Sequence, residues 1–359
     1  MQKNKKIVYK YPYLMKYNKK DLLTDKIEHI DIKRFNSIPL IESFKNMAFQ
    51  SRNLANACEI YDNMLNDKDC TIFLCLAGSL FSAGLKKIVH TMIVNNMIDC
   101  IVSTGAIIVD MDFFEALGFK HYIGTPFVDD DKLRELHIDR IYDTFIDEDE
   151  LRICDNTVKK IADSLEFRPF SSREFINEMG RYLDKNGCKV DDSVVYAAYK
   201  NKVPIFVPAF SDCSAGFGLL DHQRQNPKEN VTIDSARDFR ELIDLVLRSQ
   251  ETGIIMIGGG VPKNFIQDAV LGGEVTEIGE LRDPTRMHKY AIQLTLASEY
   301  DGALSGSTLK EASSWGKVNQ TFEQMVFSEA TITFPLLVSY AFHKESWKQR
   351  KPKKLNNAL

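Results

Sequence analysis

One ten-residue stretch, Thr308–Lys317 (TLKEASSWGK), concentrates residue types that do chemistry on amines. Read as a helix, it sets Glu311 and Trp315 four positions apart on one face. A carboxylate beside an indole suits an alkylammonium group, by charge pairing at one end and cation–π contact along the chain. Gly316 then ends the helix and frees Lys317 to turn inward. A lysine attacks carbon only as the neutral amine, so burial or a cationic neighbour must lower its pKa from ~10.4. The same spacing also fits a plain lysine at a helix C-terminus, facing solvent and favouring the dipole.

A second candidate is Gly258-Gly259-Gly260-Val261-Pro262, directly after the apolar run GIIMI. Three glycines let the backbone approach a phosphate closely, and Pro262 suits the first turn of a following helix whose N-terminus favours an anion. A tight strand–helix turn without a ligand reads the same way, and the stretch is neither G-x-G-x-x-G nor a P-loop. Asp212 follows the apolar run Val203–Ala209, where a carboxylate is costly unless paired. A ribose hydroxyl would pair it, and so would a helix cap.

Parallel strands would position these loops. Thr71–Leu76, Cys100–Ser103, Val203–Ala209, Gly253–Ile257 and Tyr290–Ala297 are short apolar runs ending in small or polar residues. Helical periodicity at 36–66, at Ala83–Asn95 and around Phe113–Leu117 alternates with them, as in βαβ units. The expected fold is α/β, a Rossmann-like parallel sheet flanked by helices, with a helical N-terminal segment. Ligands bind such sheets at the carboxyl ends of the strands, which selects Ala77–Gly84, Thr104–Asp112, Ser211–Gly218, Gly258–Lys263 and Ser298–Gly306. The acidic middle, Val128–Ile153, reads as surface helices and turns bridging two halves of one sheet. The organisation reads as an N-terminal arm (1–35), a single large domain (36–343) and a basic, frayed tail (344–359).

Composition removes several classes. With 46 Lys and Arg against 50 Asp and Glu, the net charge is -4, and no basic stripe argues for nucleic acid. No apolar run approaches the ~18 residues of a membrane span, and the N-terminus carries no apolar signal region. Seven scattered cysteines without a C-x-x-C pair point to a reduced, cytoplasmic chain. The histidines show no metal-ligand spacing, so no metal is expected.

Asp301–Val318 (DGALSGSTLKEASSWGKV) resembles the deoxyhypusine synthase signature around its active lysine. Gly258–Gln267, Val203–Gly218, Leu76–Gly84, Ser103–Asp110 and Ser328–Leu337 resemble the family's other blocks in order. The resemblance implies an NAD site and a homotetramer with active sites at subunit interfaces. It also implies aminobutyl transfer from spermidine through an imine on Lys317, to a lysine of the hypusine-bearing translation factor or alternatively to putrescine. A non-catalytic NAD- or polyamine-binding relative is the alternative of another class. Carried over by position, Glu311, Trp315, Asp110 and Asp301 fall on the substrate side. Ser79, Ser82, Thr104, Gly105, Asp212, Gly259, Gly260, Ala297, Glu329 and Ala330 fall on the cofactor side. The chain departs from the eukaryotic pattern at Phe217 and Leu304, where acids are expected, and at Phe265, where a histidine is expected.

Overall fold

The apolar runs fold as buried strands because both of their faces are covered. In the computed structural model, which describes residues 18–275, 287–304 and 307–359, all seven residues of β1 (Cys70–Leu76) are buried. Their side chains alternate between two cores, Ile72, Leu74 and Leu76 on one face and Phe73 and Cys75 on the other. The remaining strands of this sheet are β2 (Cys100–Ser103), β3 (Ile205–Phe206), β4 (Glu251–Ile257), β5 (His288–Thr295) and β6 (Val318–Phe327). They pair in the order β6-β5-β4-β1-β2-β3, every pair parallel. The order therefore reverses between β1 and β4, which opens a crevice at their carboxyl ends. Backbone bonds run one residue past the strands there: Ala77 donates to Ile257 at 3.0 Å, Gly258 to Leu294 at 2.8 Å and Ser328 to Thr295 at 2.9 Å. These bonds fix the first residue of each loop that borders the crevice.

Several expectations change. The helical reading of 36–66 holds as two helices, Ile38–Phe44 and Phe49–Asn66. The run Val203–Ala209 contributes only the edge strand β3, because Pro204 and Pro208 have no N–H to donate. β6 has no counterpart among the predicted strands, since the middle of VNQTFEQMVF is polar and largely exposed.

The acidic middle holds the expected surface helices, Asp130–Glu135 and the start of Glu148–Asp163, but does not bridge two halves of one sheet. It forms two strands, Ile138–Ile141 and Thr144–Asp147, of a separate antiparallel sheet with His121–Ile123. Two of its acids serve as helix caps. Asp129 accepts from the backbone of Asp131 and Lys132, and Asp147 from that of Asp149 and Glu150.

The tail is docked rather than frayed. Arg350 reaches under the amino end of the sheet, bonding the carbonyls of Asn96, Met64 and Cys70 and pairing with buried Asp99 at 2.5 Å. Of the arm, residues 1–17 lie outside the described residues. Ile27 and Ile30 bond the backbone of His121 and Gly84, and His29 meets the buried Glu115 carboxylate at 2.8 Å. Among the described residues no helix is long and apolar enough to cross a membrane.

Candidate active site

The crevice holds a cavity of about 760 Å³. Its floor is the loop after β1, Gly258 after β4, Leu294–Leu296 at the end of β5, and Ser328–Thr331 after β6. Ile123, Tyr142 and Asp143 of the small antiparallel sheet form one wall, and Ile27 of the arm completes it.

Backbone geometry keeps this floor open. Gly78 and Gly260 sit at φ +89° and +69°, which side chains rarely adopt, and a Cβ on either would meet nothing within 4 Å. Gly258, at φ +80°, leaves only 3.3 Å between its would-be Cβ and Ala77. The helix Gly260–Val275 starts beside the cavity, as does Ala330–Lys344, which Glu329 caps by accepting from the Thr331 N–H. Two helix N-termini beside an open, glycine-rich floor match the demands of a dinucleotide's phosphates.

Of the ten residues expected on the cofactor side, Ser79, Ser82, Glu329 and Ala330 line the cavity. Ser82 also shapes its loop, donating to the Ser79 carbonyl at 2.9 Å. Gly259 and Ala297 adjoin lining residues in the chain, and Gly260 follows one by two positions. Thr104, Gly105 and Asp212 are not among the lining residues. Gly105 serves packing instead, since a Cβ there would lie 2.8 Å from the Cys213 sulfur. Asp212 is exposed, so the burial penalty expected for it does not apply; β3 stops at Phe206 and the chain turns outward before reaching it.

Asp110 lies on a π-helical segment, Ala106–Phe113, a form that recurs at functional sites. Its carboxylate accepts from the Ser214 hydroxyl at 3.0 Å and the Ser214 N–H at 3.2 Å, and that hydroxyl also meets Asp155 at 2.7 Å. Burial pushes the Asp110 carboxyl up to about 6, against the Ser214 hydrogen bonds, and also raises Asp155. Phe217 stands nearby in sequence, 66% exposed.

The lysine segment is built by local caps. Thr308 and Glu311 cap each other's backbone at the start of the helix Leu309–Ala312. Glu311 therefore spends one carboxylate oxygen on the Thr308 N–H, and the Thr308 hydrogen bonds hold its carboxyl below the usual range. A 3₁₀ turn, Ser313–Trp315, follows, and Gly316 closes it at φ +73°. This is the helix end expected at Gly316. Lys317 then donates its N–H to the Ala312 carbonyl, and its own carbonyl accepts from the His288 N–H, which sets the start of β6 beside the start of β5.

Lys317 Nζ lies 2.6 Å from Asp268 Oδ1 and 5.3 Å from the Trp315 ring centre. Lys263 is wholly buried and donates to the carbonyls of Ser307 at 2.7 Å and Leu304 at 3.3 Å. Burial first, and then the charge of Lys317, push Lys263 down to about 8, while Glu311 pulls it back. Asp301 lies in the exposed turn before Leu304, whose N–H bonds its carbonyl at 2.9 Å.

The family model for deoxyhypusine synthase matches residues 39–341. The chain belongs to the deoxyhypusine synthase family. A "Deoxyhypusine synthase-like protein" of Elusimicrobium minutum is 58% identical over 94% of this chain and 90% of its own. The "Probable deoxyhypusine synthase 2" of Methanosarcina acetivorans is 41% identical, covering 88% of this chain and 89% of its own. A provisionally named deoxyhypusine synthase from Entamoeba histolytica shares the fold in its crystal structure. Its TM-score is 0.59 at 20% identity, over 88% of this chain and 97% of that one.

Within this family member, sequence reasoning singled out neither Lys263, Asp268, Asp155 nor Ser214. Lys263 stands inside the glycine-rich block, but what buries it is a loop 41 to 44 residues away. A lysine directly after the proline of a helix's first turn, with apolar Val261 and Phe265 two positions to either side, was the signal available for it.

Proposed function

We propose that this protein transfers the aminobutyl group of spermidine to an amine through an imine on Lys317, with NAD in the 760 Å³ cavity. The observation that carries the reading is the lysine cluster. Lys317 Nζ stands 5.3 Å from the Trp315 ring centre, and the buried Lys263 beside it is a cationic neighbour of the kind that, like burial, favours a neutral lysine.

Bound NAD would accept and later return the hydride. Ser79, Ser82, Gly258 and Glu329 would hold it. Lys317 attacks the imine carbon of the oxidised polyamine, 1,3-diaminopropane leaves, and the butylamine unit stays on Nζ until an acceptor amine displaces it. Trp315 packs along the alkyl chain. Asp110 and Asp155 meet an ammonium end.

Lys317 precedes β6 and the cavity follows it. β6 bulges, so its ends pair with His288 and Thr295 of β5, roughly 23 Å apart, too far for one small amine to touch both Lys317 and Ser328–Thr331. This supports sites completed between copies, each cavity receiving Lys317 from a neighbour, within the homotetramer we propose. Trp315 and Leu296, 64% and 71% exposed, are apolar surface for such a face.

Two acceptors fit this chemistry, a lysine of the hypusine-bearing translation factor and putrescine. The higher identity to a "-like" relative than to the one named as a synthase, 58% against 41%, favours keeping putrescine in view. Incubation with NAD and spermidine, adding each acceptor in turn, decides between them. Homospermidine identifies the small acceptor, deoxyhypusine the protein, and release of no 1,3-diaminopropane in either mixture refutes the reading.

Asp110 supplies a pH test. Its carboxyl ionises near 6, so the charged form that binds an ammonium grows as pH rises through that value. Spermidine affinity, measured calorimetrically, should tighten about tenfold from pH 5 to pH 7.5, and Asp110→Asn should flatten the dependence. A profile identical in the variant removes Asp110 from the site.

A further inference from the structure

Resting on the reading that Lys317 is the nucleophile, the geometry points to a role for the carboxylate that holds it. We propose that Asp268 is an ammonium subsite and lock: it keeps Lys317 in an ion pair until a cationic substrate takes the carboxylate over.

Lys317 Nζ and Asp268 Oδ1 are 2.6 Å apart, and an ammonium held by a carboxylate has no free electron pair. The two partners are unequally placed. The Lys317 side chain is 15% exposed and that of Asp268 is 44% exposed, so an arriving cation meets the carboxylate first.

Among the described residues, the other charged groups of this cluster do not replace Asp268 as the counter-ion of Lys317. Lys263, from the same helix as Asp268, is buried, and the hydrogen bonds of its ammonium go to two backbone carbonyls. Glu311, on the segment of Lys317 itself, has a carboxylate oxygen committed to the Thr308 N–H. Once a substrate ammonium occupies Asp268, Lys317 faces the like charge of Lys263 without its counter-ion. Its ammonium then loses a proton to water and becomes the neutral amine. The nucleophile is thus released by the class of molecule it must attack, one carrying a second ammonium within reach. Neutral or anionic imines would leave the lock closed.

The test reads Lys317 directly, without turnover. The full-length protein is labelled with trace acetic anhydride from pH 6 to 10, and acetylation of the Lys317 peptide is followed by mass spectrometry. Asp268→Asn should raise labelling at pH 7.5 about tenfold and move its midpoint down by about one pH unit. Calorimetry should show spermidine binding weakened about tenfold, with Asp268→Glu restoring most of it. An unchanged midpoint and an unchanged spermidine affinity in Asp268→Asn would overturn the proposal. Should that variant fail to fold, Lys263→Met gives the opposite reading: with the repelling cation gone, the midpoint should rise, and a midpoint that stays put rejects the lock. Aminobutyl transfer fails on different data, a wild-type protein that releases no 1,3-diaminopropane from spermidine and NAD.

Discussion

Lys317→Ala should reduce release of 1,3-diaminopropane and transfer to any acceptor by ~10³-fold or more, because the covalent route loses its only nucleophile. NAD affinity should stay within about twofold of wild type. Lys317 precedes β6, whereas the cavity residues Ser328–Thr331 follow it, so the substitution leaves that cavity's own lining intact. Stopped-flow and equilibrium fluorescence with NAD read the two effects separately. Loss of NAD binding together with activity would mean that Lys317 supports the fold or the cofactor rather than the chemistry. Retained turnover would remove the covalent step altogether.

The second large effect lies in the C-terminal tail. Arg350→Ala should destabilise the protein by about 3–5 kcal/mol, because it leaves the Asp99 carboxylate buried without its counter-ion. Asp99 already feels that burial: it pushes the carboxyl up, and the Arg350 guanidinium pulls it back. Three carbonyls, of Asn96, Met64 and Cys70, lose their donor as well. Urea denaturation should show the loss, while Lys351→Ala, on the exposed side of the same tail, should change stability by less than ~0.5 kcal/mol. Equal stability of Arg350→Ala and wild type would mean that the tail does not anchor the sheet.

The parallel strands were legible because a strand covered on both faces leaves an uninterrupted apolar run, as in β1 and β4. β6 was not, since its middle is exposed and its sequence there is polar. The antiparallel sheet hid behind its acids, which read as solvated charge but in part cap helices. The tail misled for a related reason. Its five lysines and one arginine all read as solvated charge, and pairing with Asp99, 251 residues away, is what docks Arg350.

In the site, local rules went furthest. Gly316 ends its helix in the left-handed region as its position implied, and the glycine-rich loop after β4 borders the cavity. Ser79, Ser82, Glu329 and Ala330 meet there although they come from opposite ends of the chain. What escaped was long-range burial. Lys263 is buried beside Lys317 because the loop at Leu304 and Ser307 covers it, and Asp268 reaches Lys317 across two elements. No spacing rule encodes either contact.

The central claim is a covalent aminobutyl intermediate on Lys317. The most direct measurement is borohydride trapping: protein, NAD and spermidine without acceptor, reduced and analysed by intact and peptide mass spectrometry. The expected result is an aminobutyl adduct on the peptide that contains Lys317, with 1,3-diaminopropane released in equal amount. An unmodified Lys317 in protein shown to bind both NAD and spermidine would contradict it.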